Sequence, residues 1–143
     1  MTTIVTLKMD ANSEVHFDRL RRQHYPPHLN RIAAHLTLFH ALPDGDDVRS
    51  VLAEAVRQAE PFATTVKDVM SLGRGVAYTI ESYSLMALHA NLAKAFQPYL
   101  IQQDRQGFRP HVVVQNRPAL SKAKLSAPNS QQTSNLGKLW RKG

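Results

Sequence analysis

The chain has 143 residues, 43% of them hydrophobic and none of them cysteine. That is enough for one compact domain, and it excludes disulfides, thiolate catalysis and Cys-ligated zinc. No apolar run approaches the ~18 residues that cross a bilayer, and Met1 to Lys8 lacks the layout of a signal peptide, so a cytoplasmic protein with no membrane association is expected. The net charge of +7 is unevenly placed: residues 1–104 hold 10 Lys/Arg against 11 Asp/Glu, and residues 105–143 hold 8 Lys/Arg and no acid. Such a segment either meets an anionic partner such as RNA or a nucleotide, or serves as a basic tail that aids solubility.

Residues 2–9 are β-branched and alternate, which predicts a strand. Ser13 is a candidate cap for a helix running to about His24, ended by Pro26 and Pro27. A second strand is expected from Ile32 to Leu42, then a turn at Pro43-Asp44-Gly45-Asp46. Val48, Val51, Leu52, Ala55, Val56 and Ala59 recur at helical spacing and predict an amphipathic helix from about Asp46 to Glu60, stopped by Pro61. Residues 62–71 and 75–82 read as a hairpin around Leu72-Gly73-Arg74-Gly75.

A third helix is predicted from Ser82 or Ser84, with Leu85, Leu88, Leu92, Ala95, Phe96 and Tyr99 along one side. Gln102 to Pro110 reads as a polar loop and His111 to Gln115 as a strand. Beyond Pro118 a short helix is expected at Ser121–Leu125, a loop at 128–135 and a strand at Leu136–Arg141. Strands and helices mix without regular βαβ repetition, so the class is α+β. One domain is expected over residues 1–143, with about 119–143 a basic C-terminal segment expected to be partly disordered or truncated.

The chemistry is concentrated in His35-Leu36-Thr37-Leu38. Alternate side chains of a strand share a face, so an imidazole and a hydroxyl stand together, backed by two leucines. Arg109-Pro110-His111-Val112-Val113-Val114-Gln115 looks like a damaged copy. Two imidazoles across a groove can divide proton transfer, one neutral and accepting, the other protonated and donating. Of the seven histidines, His16, His24 and His89 read as surface or edge residues, His28 as a loop residue, and His40 as off the polar face. There is no His-Glu-x-x-His and no P-loop; neither a metal nor a cofactor is expected.

His35-Leu36-Thr37-Leu38 resembles the His-apolar-Thr/Ser-apolar signature of the 2H phosphoesterases, the superfamily of the 2'-5' RNA ligase-like proteins. The stretches His35–Pro43, Ser71–Tyr78 and Gln103–His111 extend the resemblance over residues 2 to about 118. It implies a two-lobed α+β fold in which a pseudo-two-fold axis relates antiparallel sheets around a central cleft. It implies metal-independent chemistry on 2',3'-cyclic phosphates or 2'-5' linked RNA or nucleotides. By motif position His35 and His111 become the acid–base pair and Thr37 a phosphate-oxygen donor. Val113 stands where the family has Thr or Ser, and that donor is lost. Arg74, Tyr78, Arg109 and Gln115 are further candidates for substrate binding, with an ordinary hairpin tip the alternative for Arg74 and a core tyrosine the alternative for Tyr78. The alternative is a catalytically impaired module that binds RNA or nucleotide without turning it over.

Overall fold

The computed structural model describes residues 1–25, 27–28, 33–73, 75–116 and 131–142, with Asn116 and 131–142 as backbone. The elements in order are β1 (Thr2–Met9), α1 (Ala11–His24), β2 (Leu36–Pro43), α2 (Asp46–Gln58), β3 (Phe62–Ser71), β4 (Gly75–Glu81), α3 (Tyr83–Ala95), α4 (Gln102–Arg105), β5 (His111–Asn116) and β6 (Gln131–Lys142). All strand pairs are antiparallel, and the strands close into a barrel in the order β1-β2-β5-β4-β3-β6. The α+β class is therefore as expected. No described helix is long and apolar enough to cross a membrane.

Local sequence sets most boundaries. Helix α1 is capped by Asp10, whose carboxylate accepts the Ser13 N–H at 3.2 Å. Ser13 is thus three residues inside the cap and donates its hydroxyl back to Asp10, which corrects the expected start. Ser82 caps α3, accepting the Leu85 N–H at 3.1 Å. Gly73 turns the β3–β4 hairpin with φ of 84°, the left-handed region that favours glycine, and the Leu72 N–H donates to the Gly75 carbonyl at 2.8 Å.

The expected loop at Gln102–Pro110 begins with one helical turn, α4. Its Asp104 carboxylate is buried and accepts from the His40 backbone N–H (2.8 Å) and the His40 Nδ1 (2.7 Å), fixing α4 to β2. Strand β6 starts at Gln131, so 131–135 are strand and not loop. The expected helix at Ser121–Leu125 lies outside the described residues.

The core lies between one face of the barrel wall and the helices. Val5, Leu7, Leu36, Leu38, Val112, Val114, Tyr78 and Ile80 from the strands pack with Phe17, Leu52, Leu85, Leu92 and Phe96. The helices cross between halves. Helix α1 lies against β5, where the buried Arg21 donates from Nη1 to the Val113 carbonyl at 2.8 Å. Helix α3 sends His89 to β2, where its Nε2 donates to the Leu38 carbonyl at 3.0 Å.

His89 is 7% exposed, so it is not the surface residue expected. Its ring lies between Phe39 (4.6 Å, interplanar 13°) and Phe108 (3.8 Å, 5°). The helical spacing that suggested a surface position does not register an aromatic slot supplied from other elements.

Candidate active site

The two motif strands are neighbours. In the β2–β5 ladder Leu36 is registered opposite Val112. Both are core residues, 1% and 0% exposed, while His35, Thr37, His111 and Val113 are all partly exposed. Strand alternation therefore turns these four to the face opposite the core residues Leu36 and Val112. Continuing the register by one position each way sets Thr37 across from His111 and His35 across from Val113. The two histidines are then diagonal neighbours, for which ladder geometry gives a separation of about 7–8 Å.

Each imidazole is held in the same way. His35 Nδ1 donates to the Ala33 carbonyl at 2.9 Å, and His111 Nδ1 donates to the Arg109 carbonyl at 2.7 Å. A carbonyl can only accept, so Nδ1 carries the proton in both rings. Nε2 is then the nitrogen that gains or loses a proton. The lead-in backbone is secured as well. The Ala34 N–H donates to Asp18 Oδ1 at 2.7 Å. Pro110, at the matching position before His111, has no N–H to satisfy, and its carbonyl accepts from Ile80 N at 2.9 Å.

The flanking strands complete two rows. Thr6 of β1 is registered with Thr37, and Thr79 of β4 with His111. One row thus reads Thr6, Thr37, His111, Thr79. In the other, Ala77 is registered with Val113, and continuing the β1–β2 register one step past Leu7–Leu36 brings Lys8 beside His35. That row reads Lys8, His35, Val113, Ala77. Thr37 and Thr79 are the registered neighbours of His111, the Thr79 hydroxyl donating to the Asp68 carbonyl of β3 at 3.3 Å, and the row through His35 lacks a hydroxyl where Val113 stands.

Several expected contributors sit elsewhere. Tyr78 is 1% exposed, on the core side of β4 opposite Val112, with its ring 5.9 Å from Phe17. Burial raises the pKa of its phenol. It is a core residue and does not line the histidine face. Gln115 is 8% exposed and buried. Between Val113 and Gln115 the β4–β5 register slips by one residue, leaving Val114 bulged. The bulge reverses the alternation and turns Gln115 away from the histidine face. Arg109 is exposed and brings its carbonyl to His111. Arg74 lies outside the described residues.

Sequence reasoning missed Lys8, Thr6, Thr79 and Asp18. The alternation Thr6-Leu7-Lys8 carried a signal for the first two; nothing in the sequence points to Asp18. A groove of about 500 Å³ lies between α2 and α3, lined by Val51, Ala55, Leu88 and Leu92 among others, and holds neither motif histidine.

No curated protein sequence matches the chain. Solved structures that resemble it include TT0787 of Thermus thermophilus, 16% identical with a TM-score of 0.67, the match covering 94% of this chain and 84% of that one. A crystallised phosphoesterase is 21% identical with a TM-score of 0.63, covering 93% and 83%. E. coli LigT complexed with 3'-AMP is 19% identical with a TM-score of 0.61, covering 99% and 93%. At such identities the likeness is one of fold. The sequence itself matches the family model of the 2'-5' RNA ligase superfamily over residues 9–134, a span that contains both histidine motifs and the strands that pair them; the chain belongs to that superfamily, the 2H phosphoesterases.

Proposed function

We propose that the protein is a metal-independent phosphodiesterase that acts on 2',3'-cyclic phosphates or on 2'-5' linked RNA and nucleotides, with His35 and His111 as its acid–base pair. The observation that carries this reading is the Leu36–Val112 register, which sets two identically tethered imidazoles diagonally across one seam. The bound 3'-AMP of E. coli LigT supports a nucleotide ligand for a protein of this fold.

In hydrolysis of a cyclic phosphate, water attacks phosphorus while the bond to the 2'- or 3'-oxygen breaks. The neutral Nε2 of one histidine takes the proton from water. The protonated Nε2 of the other gives its proton to the departing oxygen. One phosphomonoester forms, and the two rings end with their protonation states exchanged. With a ribose hydroxyl attacking in place of water, the same steps make a phosphodiester linkage, and their reverse breaks one and re-forms the cyclic phosphate, so the same pair serves ligation and cleavage alike. Thr37 donates to a nonbridging oxygen, where charge is held through the transition state.

Turnover of a 2',3'-cyclic nucleotide should fall by about 10²–10⁴-fold in His35→Ala and in His111→Ala, and should survive a strong chelator. Wild-type rates in either variant would refute the pair. Loss of activity on chelation, restored by added metal, would refute the metal-free mechanism. Val113 favours one competing reading, a binding module with impaired catalysis: that reading predicts RNA or nucleotide binding with no turnover, unaffected by either substitution.

A further inference from the structure

The hydroxyl absent at Val113 belongs beside His35, because Val113 is the cross-strand neighbour of that histidine. The row through this point runs Lys8, His35, Val113, Ala77. Val113 and Ala77 have no side-chain donor. Lys8, on the other flank of His35, has three. Its partly exposed position alternates with the buried Leu7 and Met9, so it shares the histidine face with Thr6. Adjacent strands lie about 4.8 Å apart, a gap that the four-carbon lysine stem spans.

We propose that Lys8 binds the substrate phosphate on the His35 side of the site and replaces the donor missing at Val113. This rests on the two-histidine reading above. An ammonium suits the role because a charge-assisted hydrogen bond to an anionic oxygen is roughly twice as strong as a neutral one. Lys8 Nζ pairs with Glu14 Oε1 of α1 at 2.9 Å. Both side chains are about one-third exposed, 34% and 36%. An ion pair so open to water is weak, and Lys8 can leave it for a phosphate. Glu14 is then a counter-ion that competes with substrate, and the ammonium leaves α1 to meet the anion beside His35.

The test combines turnover of a 2',3'-cyclic nucleotide with calorimetric titration of inorganic phosphate, on the full chain. Lys8→Met should raise KM and weaken phosphate binding by about ten-fold or more, while Lys8→Arg stays within a few-fold of wild type. Glu14→Gln should bind phosphate as tightly as wild type or more tightly, because it removes the competitor. In a Val113→Thr background the effect of Lys8→Met should shrink, since the restored hydroxyl shares the load.

A purely structural ion pair predicts the opposite pattern, with Glu14→Gln as harmful as Lys8→Met and no dependence on residue 113; that result would overturn the proposal. Unchanged phosphate affinity in Lys8→Met would overturn it too. If His35→Ala and His111→Ala leave turnover intact, the acid–base reading fails. The phosphate titration of Lys8→Met then still decides whether Lys8 holds the anion.

Discussion

Leu36 and Val112 stand opposite each other where the two halves of the barrel meet. They are 76 residues apart, as are His35 and His111. The bulged residues Leu38 of β2 and Val114 of β5 share the interval, each an extra residue against its outer neighbour, β1 or β4. The repetition extends to burial: Leu36-Thr37-Leu38-Phe39 and Val112-Val113-Val114-Gln115 both run buried, partly exposed, buried, buried. A pseudo-two-fold axis through the Leu36–Val112 pair relates the motifs, and Val113 is the image of Thr37.

That symmetry gives the first prediction. Val113 has nearly the shape of threonine and sits on the half-exposed face, so Val113→Thr should fold normally. Restoring a hydrogen bond to a charged oxygen is worth ~1.5–3 kcal/mol, or about one to two decades in rate. Turnover of a cyclic nucleotide should rise. An unchanged or lower rate in a stably folded variant would show that no donor is missing.

The sequence made the motif strands legible because both are short, bounded and strongly patterned. Period-2 reasoning placed His35, Thr37, His111 and Val113 on one face correctly, since all four precede the bulges. It failed at Gln115, one residue beyond the bulge at Val114. Val112-Val113-Val114 is uniformly strand-forming, so nothing local marks which residue will bulge. In the sequence Tyr78 is open between core and cleft, because strand periodicity gives two faces but does not say which one the helices cover; it lies in the core. Arg21 and His89, which reach across the seam, depend on contacts between distant segments and have no local signature.

Among the described residues one registered pair joins β2 to β5, so this seam is narrow, and the helices reinforce it. Arg21, 3% exposed, donates to the Val113 carbonyl and places its guanidinium 4.0 Å from the centre of the Tyr25 ring. Arg21→Met keeps much of the apolar stem and removes the donor. Leaving the Val113 carbonyl without this partner should cost about 1–3 kcal/mol. The urea midpoint should fall accordingly with its slope unchanged. A midpoint equal to wild type would mean that Arg21 is no clamp.

Asp18 acts on His35 through the backbone. Its carboxylate accepts the Ala34 N–H, and Ala34 follows the residue whose carbonyl orients the imidazole. Asp18→Ala frees this lead-in and should lower kcat by about ten-fold, the scale of a modest misplacement of a catalytic group. Asp18→Asn keeps an acceptor oxygen and should restore most of the rate. Equal losses in both variants would point to the charge of Asp18, not to its hydrogen bond.

The last prediction concerns pH. Burial lowers the pKa of His89 from its ordinary 6.5, opposed by the hydrogen bond to the Leu38 carbonyl and by the Asp104 carboxylate. A histidine whose folded pKa is depressed binds fewer protons folded than unfolded between the two values. Stability therefore rises with pH across that window. The His89 contribution is fully present above pH 6.5 and is lost progressively as pH falls below it, at up to about 1.4 kcal/mol per pH unit. His89→Phe retains a ring between Phe39 and Phe108 but cannot titrate. It should be less stable than wild type at about pH 8, having lost the bond to Leu38, and should show a flatter decline below about pH 6.5. Chemical denaturation of both proteins from about pH 8 to about pH 5 measures the two slopes. Parallel curves would show that His89 takes up its proton as readily in the folded protein as in the unfolded chain.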